Sequence, residues 1–162
     1  MLYDIPPRSG RKIDTDTILR MADEVQNIVA VKDAAGDVAE TSAGIRDSLE
    51  VLATVEVPVL VIPGNRESYG RYMGAMAKAG EKHGNLIDMA IVRLVAAARF
   101  AVVSLPGYYD PRYLHAKDGC LYRPEHVAAL ADIAAKASSK PVILLAHSPP
   151  KAKGRGAIDY AD

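Results

Sequence analysis

Short apolar runs at residues 1–5, 28–31, 57–62 and 142–146 each stop abruptly, at Pro6, Lys32, Pro63 and His147 respectively. Runs of four to six residues rich in Val and Ile are too short for ordinary helices and suit buried parallel strands. The stretches between them carry helical signals. Asp14 or Thr15 caps a helix facing inward through Ile18, Leu19, Ala22 and Val25, and a second starts near Thr41 or Ser42 with Ile45, Leu49 and Leu52. Ser68 caps a third, bearing Tyr72, Met73, Met76 and Ala79, and Pro124 fits the first position of a fourth. Residues 91–95 and 100–105 read as a hairpin, followed by a Gly-, Tyr- and Asp-rich loop over 106–122. The alternation predicts one α/β domain with a sheet of mixed direction, in which 1–5, 28–32, 57–62 and 141–146 run parallel.

Composition narrows the class. The 162 residues suffice for one domain with its own core. Twenty basic and twenty acidic residues cancel without a basic stripe, so neither nucleic acid nor a membrane surface is an expected partner. The single Cys120 excludes an internal disulfide and fits a reducing compartment. No apolar stretch approaches the roughly 20 residues needed to span a bilayer, and Met1 leads into Pro6-Pro7 rather than a signal-peptide core. A cytoplasmic location is the resulting expectation.

The segment Leu2-Tyr3-Asp4-Ile5-Pro6-Pro7-Arg8-Ser9-Gly10, followed by Val31-Lys32-Asp33-Ala34-Ala35-Gly36-Asp37, resembles dihydrodipicolinate synthase. The resemblance covers residues 1 to about 38 as a β-α-β segment. It implies that Lys32 condenses with pyruvate as a Schiff base, that Tyr3 relays a proton and that Arg8 clamps the carboxylate. Such families form (β/α)₈ barrels of about 250 residues, and two strand–helix units of that pattern are present here. Read without the resemblance, Lys32 is a strand-end residue whose stem lies along apolar surface with its amine in water.

From about residue 36 to 162 the chain resembles the calcineurin-like metallophosphoesterases, as a truncated αββα sandwich. The resemblance rests on Gly36-Asp37-Val38-Ala39-Glu40, on Gly64-Asn65-Arg66-Glu67, and on His147 opening His147-Ser148-Pro149-Pro150. It implies Asp37, Asn65 and His147 as ligands of one divalent transition metal, Mn, Fe or Zn, with Asp4 as a further candidate at the end of the first strand. Arg66 stands where the family carries a phosphate-contacting His. It implies a guanidinium that clamps phosphate but donates no proton at neutral pH. Each residue also has a plain reading: Asp37 as a helix cap, Asn65 as a turn residue, His147 as a structural imidazole. His83, His115 and His126 read as surface residues, with His115 able to approach the site from the tyrosine-rich loop.

Three functional expectations stand side by side. The first is a weak or vestigial metal-dependent phosphoesterase acting on a small phosphate ester, with metal-activated water and Arg66 orienting the phosphate. The second is a Schiff-base aldolase or lyase remnant using Lys32, Tyr3 and Arg8. The third is a folded chimera without catalysis. Apolar surface left uncovered by absent sandwich strands predicts a homodimer.

Overall fold

A computed structural model describes residues 2–4, 9–11, 13–25, 31–33 and 42–148. The strands are β1 (Leu2–Asp4), β2 (Val31–Asp33), β3 (Val59–Val61), β4 (Leu86–Asp88), β5 (Leu94–Ala96), β6 (Ala101–Leu105) and β7 (Val142–Ala146). The helices are α1 (Thr15–Glu24), α2 (Ser42–Leu52), α3 (Tyr69–Gly80) and α4 (Pro124–Ala135), with a 3₁₀ turn at Pro111–Tyr113. No helix among the described residues is long and apolar enough to cross a membrane.

The predicted caps are formed. Asp14 stays extended and its Oδ1 accepts the Thr17 amide at 2.8 Å, satisfying a donor that the first turn of α1 leaves open. The Ser68 hydroxyl oxygen does the same for Arg71 at the start of α3, and Pro124 opens α4. Ile45 and Leu49 of α2 pack against Tyr72, Ala75, Met76 and Ala79 of α3 in one buried cluster. Spacings of three and four residues put each set on one helix face. Each large side chain buried there contributes about 1.5–3 kcal/mol.

The mixed α/β class holds, but the single sheet expected from the four apolar runs is not what the described residues form. β1 pairs with β2, β3 with β4, and β5, β6 and β7 make a three-stranded sheet in that order. No closed barrel is present among them. The displaced partner is β4, whose Leu86-Ile87-Asp88 run is too short to register as a strand by periodicity. It pairs in parallel with β3, and the Asn85 carboxamide braces the entry by donating to the Val55 carbonyl at 2.7 Å. The predicted hairpin is present but shorter at its start. The amides of Ile91 and Val92 turn back onto the Asp88 carbonyl, so β5 begins only at Leu94.

Every residue of β6 is buried, and β6 runs antiparallel to β5 and parallel to β7. Between β3, β4 and α3, the Tyr72 hydroxyl donates to Asp88 Oδ1 at 2.8 Å, and that same oxygen accepts the Ala90 amide at 2.9 Å. Burial, reinforced by Asp88, raises the Tyr72 phenol well above its usual range, so it stays a donor. Replacing Tyr72 with Phe removes a bond to a carboxylate inside the core. It should cost about 1.5–3 kcal/mol of stability, read as a lower urea midpoint with an unchanged slope.

Candidate functional site

Two groups of candidate residues belong to described strand ends. The first lies between β3, β7 and the tyrosine-rich loop. After β3 the chain turns through Pro63-Gly64-Asn65-Arg66-Glu67 into α3, and the Gly64 amide donates to Glu67 Oε2 at 2.8 Å. The turn is tied to the loop twice: the His115 amide donates to the Asn65 carbonyl at 2.9 Å, and Asn65 Nδ2 donates to the Tyr113 carbonyl at 3.0 Å. That second bond orients the carboxamide, leaving Oδ1 toward His147 at the end of β7. Nε2 of His147 lies 3.0 Å from Oδ1, which assigns the proton to Nε2. The ring also stands edge-on to Tyr108, with centroids 5.9 Å apart.

Gly64 is what lets the imidazole sit there. A Cβ at this position would lie 2.7 Å from both Cε1 and Nδ1 of His147. Residues 82 positions apart are thus brought into one hydrogen bond by a missing side chain. Gly64→Ala should push the ring away, break the bond to Asn65 and destabilise the fold by about 1–3 kcal/mol. The His147 ring resonances in NMR should lose their single fixed environment. An unchanged spectrum and melting temperature would show that the contact has no such role.

The second group lies on the first two strands. β1 and β2 run parallel with Leu2, Tyr3 and Asp4 opposite Val31, Lys32 and Asp33. Tyr3 and Lys32 are therefore directly partnered positions. Asp4 is partnered with Asp33. Arg8 and Asp37 lie outside the described residues, and Arg66 is half-buried in the turn beside Asn65.

Comparison with known proteins bears on the first 65 residues. The dihydrodipicolinate synthetase family matches residues 1–65. A 4-hydroxy-tetrahydrodipicolinate synthase of Corynebacterium aurimucosum is 55% identical over 47 residues, covering 29% of this chain and 15% of that protein. The enzyme of the same name from Acidothermus cellulolyticus is 38% identical over 91 residues, 49% of this chain and 29% of that protein. That of Kineococcus radiotolerans is 65% identical over 37 residues, 23% of this chain and 12% of that protein. The chain thus spans less than a third of the length of these relatives. One solved crystal structure superposes on 90% of the chain and 51% of its own length, with a TM-score of 0.52 and 10% identity, a likeness of fold alone.

These findings correct several expectations. The synthase-like segment extends to residue 65, well past residue 38. It therefore takes in Asp37, Gly64 and Asn65, which carried two of the three phosphoesterase motifs. The expected metal-dependent phosphoesterase, a hydrolase, gives way to lyase relatives. The expected Mn, Fe or Zn ion is overturned with it. Among the described residues no three His, Cys, Asp or Glu side chains converge as a metal-binding group. Asn65 and His147 do meet, but as donor and acceptor to each other, with the Asn65 Nδ2 committed to Tyr113.

Sequence reasoning missed Tyr113, Glu67 and Tyr108 as the residues that fix this junction. Two act through backbone groups or at long range, which leaves no periodic trace. It also missed Arg93, for which a signal existed: a lone guanidinium inside the apolar run at 91–95.

Proposed function

We propose that residues 1–65 carry the imine-forming chemistry of a synthase-type Schiff-base lyase, with Lys32 as the nucleophile toward the carbonyl of a 2-oxo acid such as pyruvate. The observation that carries this reading is the register of β1 and β2, in which Tyr3 and Lys32 are partnered positions. Partnered positions on neighbouring strands stand on one face of a sheet, the placement a proton relay to a forming imine requires. The unprotonated amine adds to the carbonyl, the carbinolamine loses water, and the phenol shuttles the proton that departs with it. Arg8, in the same matched segment, takes the substrate carboxylate as a bidentate partner.

Incubation with pyruvate and borohydride should reduce the imine to a stable secondary amine. The peptide containing Lys32 should gain about 72 Da, with a yield that rises with pH because only the free amine attacks. Lys32→Arg should abolish the adduct, and Tyr3→Phe should slow its formation by about 10²–10⁴-fold. Labelling spread evenly over the surface lysines would refute the assignment.

For the remainder we propose the truncated αββα architecture of a metallophosphoesterase as a scaffold, without that family's hydrolysis. Its support is the parallel β6–β7 pair beside the antiparallel β5. We also propose that two copies pair through β7. This strand ends the order β5-β6-β7 and exposes Val142, Ile143 and Leu144 by 43%, 51% and 51%. Apolar edge strands of this kind are templates for further pairing. Light scattering should give a dimer, and Ile143→Lys should return it to monomer; a wild-type monomer at about 100 μM would count against the pairing.

A further inference from the structure

Arg93, like Lys140 on the Ala97 carbonyl, faces neutral acceptors, and Arg93 also lines a cleft. Arg46, Lys82 and Arg112 each reach a carboxylate, whereas Arg93 forms no ion pair among the described residues. Its Nε and Nη2 donate to the Ser104 carbonyl, at 3.0 and 2.6 Å, and Nε also reaches Ser104 Oγ at 3.1 Å. These acceptors are neutral. Partial burial of the guanidinium lowers its pKa somewhat without discharging it. A half-buried cation with only neutral partners retains a desolvation cost that an anion would offset.

That cation lines a cleft of about 350 Å³, within the range of small-molecule sites. Tyr69, Leu105, Leu121 and Tyr122 supply much of its wall, and His126 stands at the start of α4. Nδ1 of His126 accepts the Arg123 amide at 3.1 Å, which leaves Nε2 as a second N–H donor. Burial raises both the Tyr69 phenol and the Cys120 thiol, so each is neutral at physiological pH. Among the described lining residues, the permanent charge is then that of Arg93. The wall is aromatic and aliphatic, and Arg93, His126 and the tyrosine hydroxyls can each donate.

We propose that this cleft, separate from both groups of strand-end residues, binds a small organic carboxylate with a flat apolar body, its carboxylate on Arg93 and its body against Tyr69, Leu121 and Tyr122. The planar guanidinium has N–H groups beyond those given to Ser104, and its fork geometry matches a carboxylate. The cleft is too apolar to reward a highly hydrated polyanion, and among the described residues its lining places no anionic side chain against the ligand.

The probe is benzoate, titrated into the full 162-residue chain and followed by amide NMR. Saturable shifts should concentrate at Arg93, Leu121 and Tyr122, and benzoate should protect Cys120 from a thiol reagent. Benzamide, equal in shape but uncharged, should bind about tenfold more weakly. Arg93→Gln should remove that preference. Should this variant fail to fold for want of its Ser104 bonds, Leu121→Trp fills the cleft with Arg93 intact and should abolish binding. No saturation by about 10 mM, equal affinity for benzamide, or shifts centred elsewhere would each overturn the proposal.

Discussion

The Ser104 hydroxyl, with no solvent exposure, donates to the Met89 carbonyl at 2.6 Å, and much of the described architecture depends on that bond. Met89 follows β4 and Ser104 lies in β6, so one hydrogen bond ties the β3–β4 pair to the three-stranded sheet. Both ends are buried, and losing it would strand a polar group without water, at about 1–3 kcal/mol. The Ser104 amide returns to the Arg93 carbonyl at 3.1 Å, extending the β5–β6 ladder beyond its paired strands. Arg93 completes the node by capping the Ser104 carbonyl with its half-buried guanidinium.

Around this node the loops are held by backbone bonds rather than by apolar mass. The Gly107 amide donates to the Pro63 carbonyl at 2.9 Å, and Tyr108 and Cys120 are joined by an amide–carbonyl bond of the same length. Gly107 has φ of +88°, and a side chain there would run into the Cys120 backbone. The turn after β3 and the tyrosine-rich loop are thereby brought to the strand end where His147 meets Asn65. Convergence of this kind is a property of the scaffold, and chemistry must be argued from the groups it exposes. At this junction the groups satisfy one another. In the β1–β2 pair, Tyr3 and Lys32 are partnered positions.

The helices were legible because their signals are local. Asp14, Ser68 and Pro124 announce their caps within one turn, and the faces of α2 and α3 follow from spacings of three and four. β6 and β7 were legible as apolar runs. The junction of Asn65 with His147 was foreseen as a meeting, from order along the chain, and misread in purpose. Two ligand-type residues at strand ends look the same in sequence whether they hold a metal or hold each other. In the structure the Asn65 carboxamide is oriented by the Tyr113 carbonyl, and a backbone acceptor has no letter in the sequence.

The amino-acid sequence alone determined the α/β class, the helix caps and faces, and a synthase-like beginning with Tyr3, Arg8 and Lys32 in order. Those depend on nearest-neighbour sterics, hydrophobic period and motif spacing, all of which are written within a few tens of residues. Tertiary structure decided which strands pair, that β4 rather than β2 lies beside β3, and that Gly64 admits the His147 ring. It also decided that Arg93 lines a cleft with no ion-paired carboxylate among the described residues. These outcomes turn on long-range packing and on the satisfaction of buried polar groups, where the competing arrangements differ by single hydrogen bonds and only the folded chain selects among them.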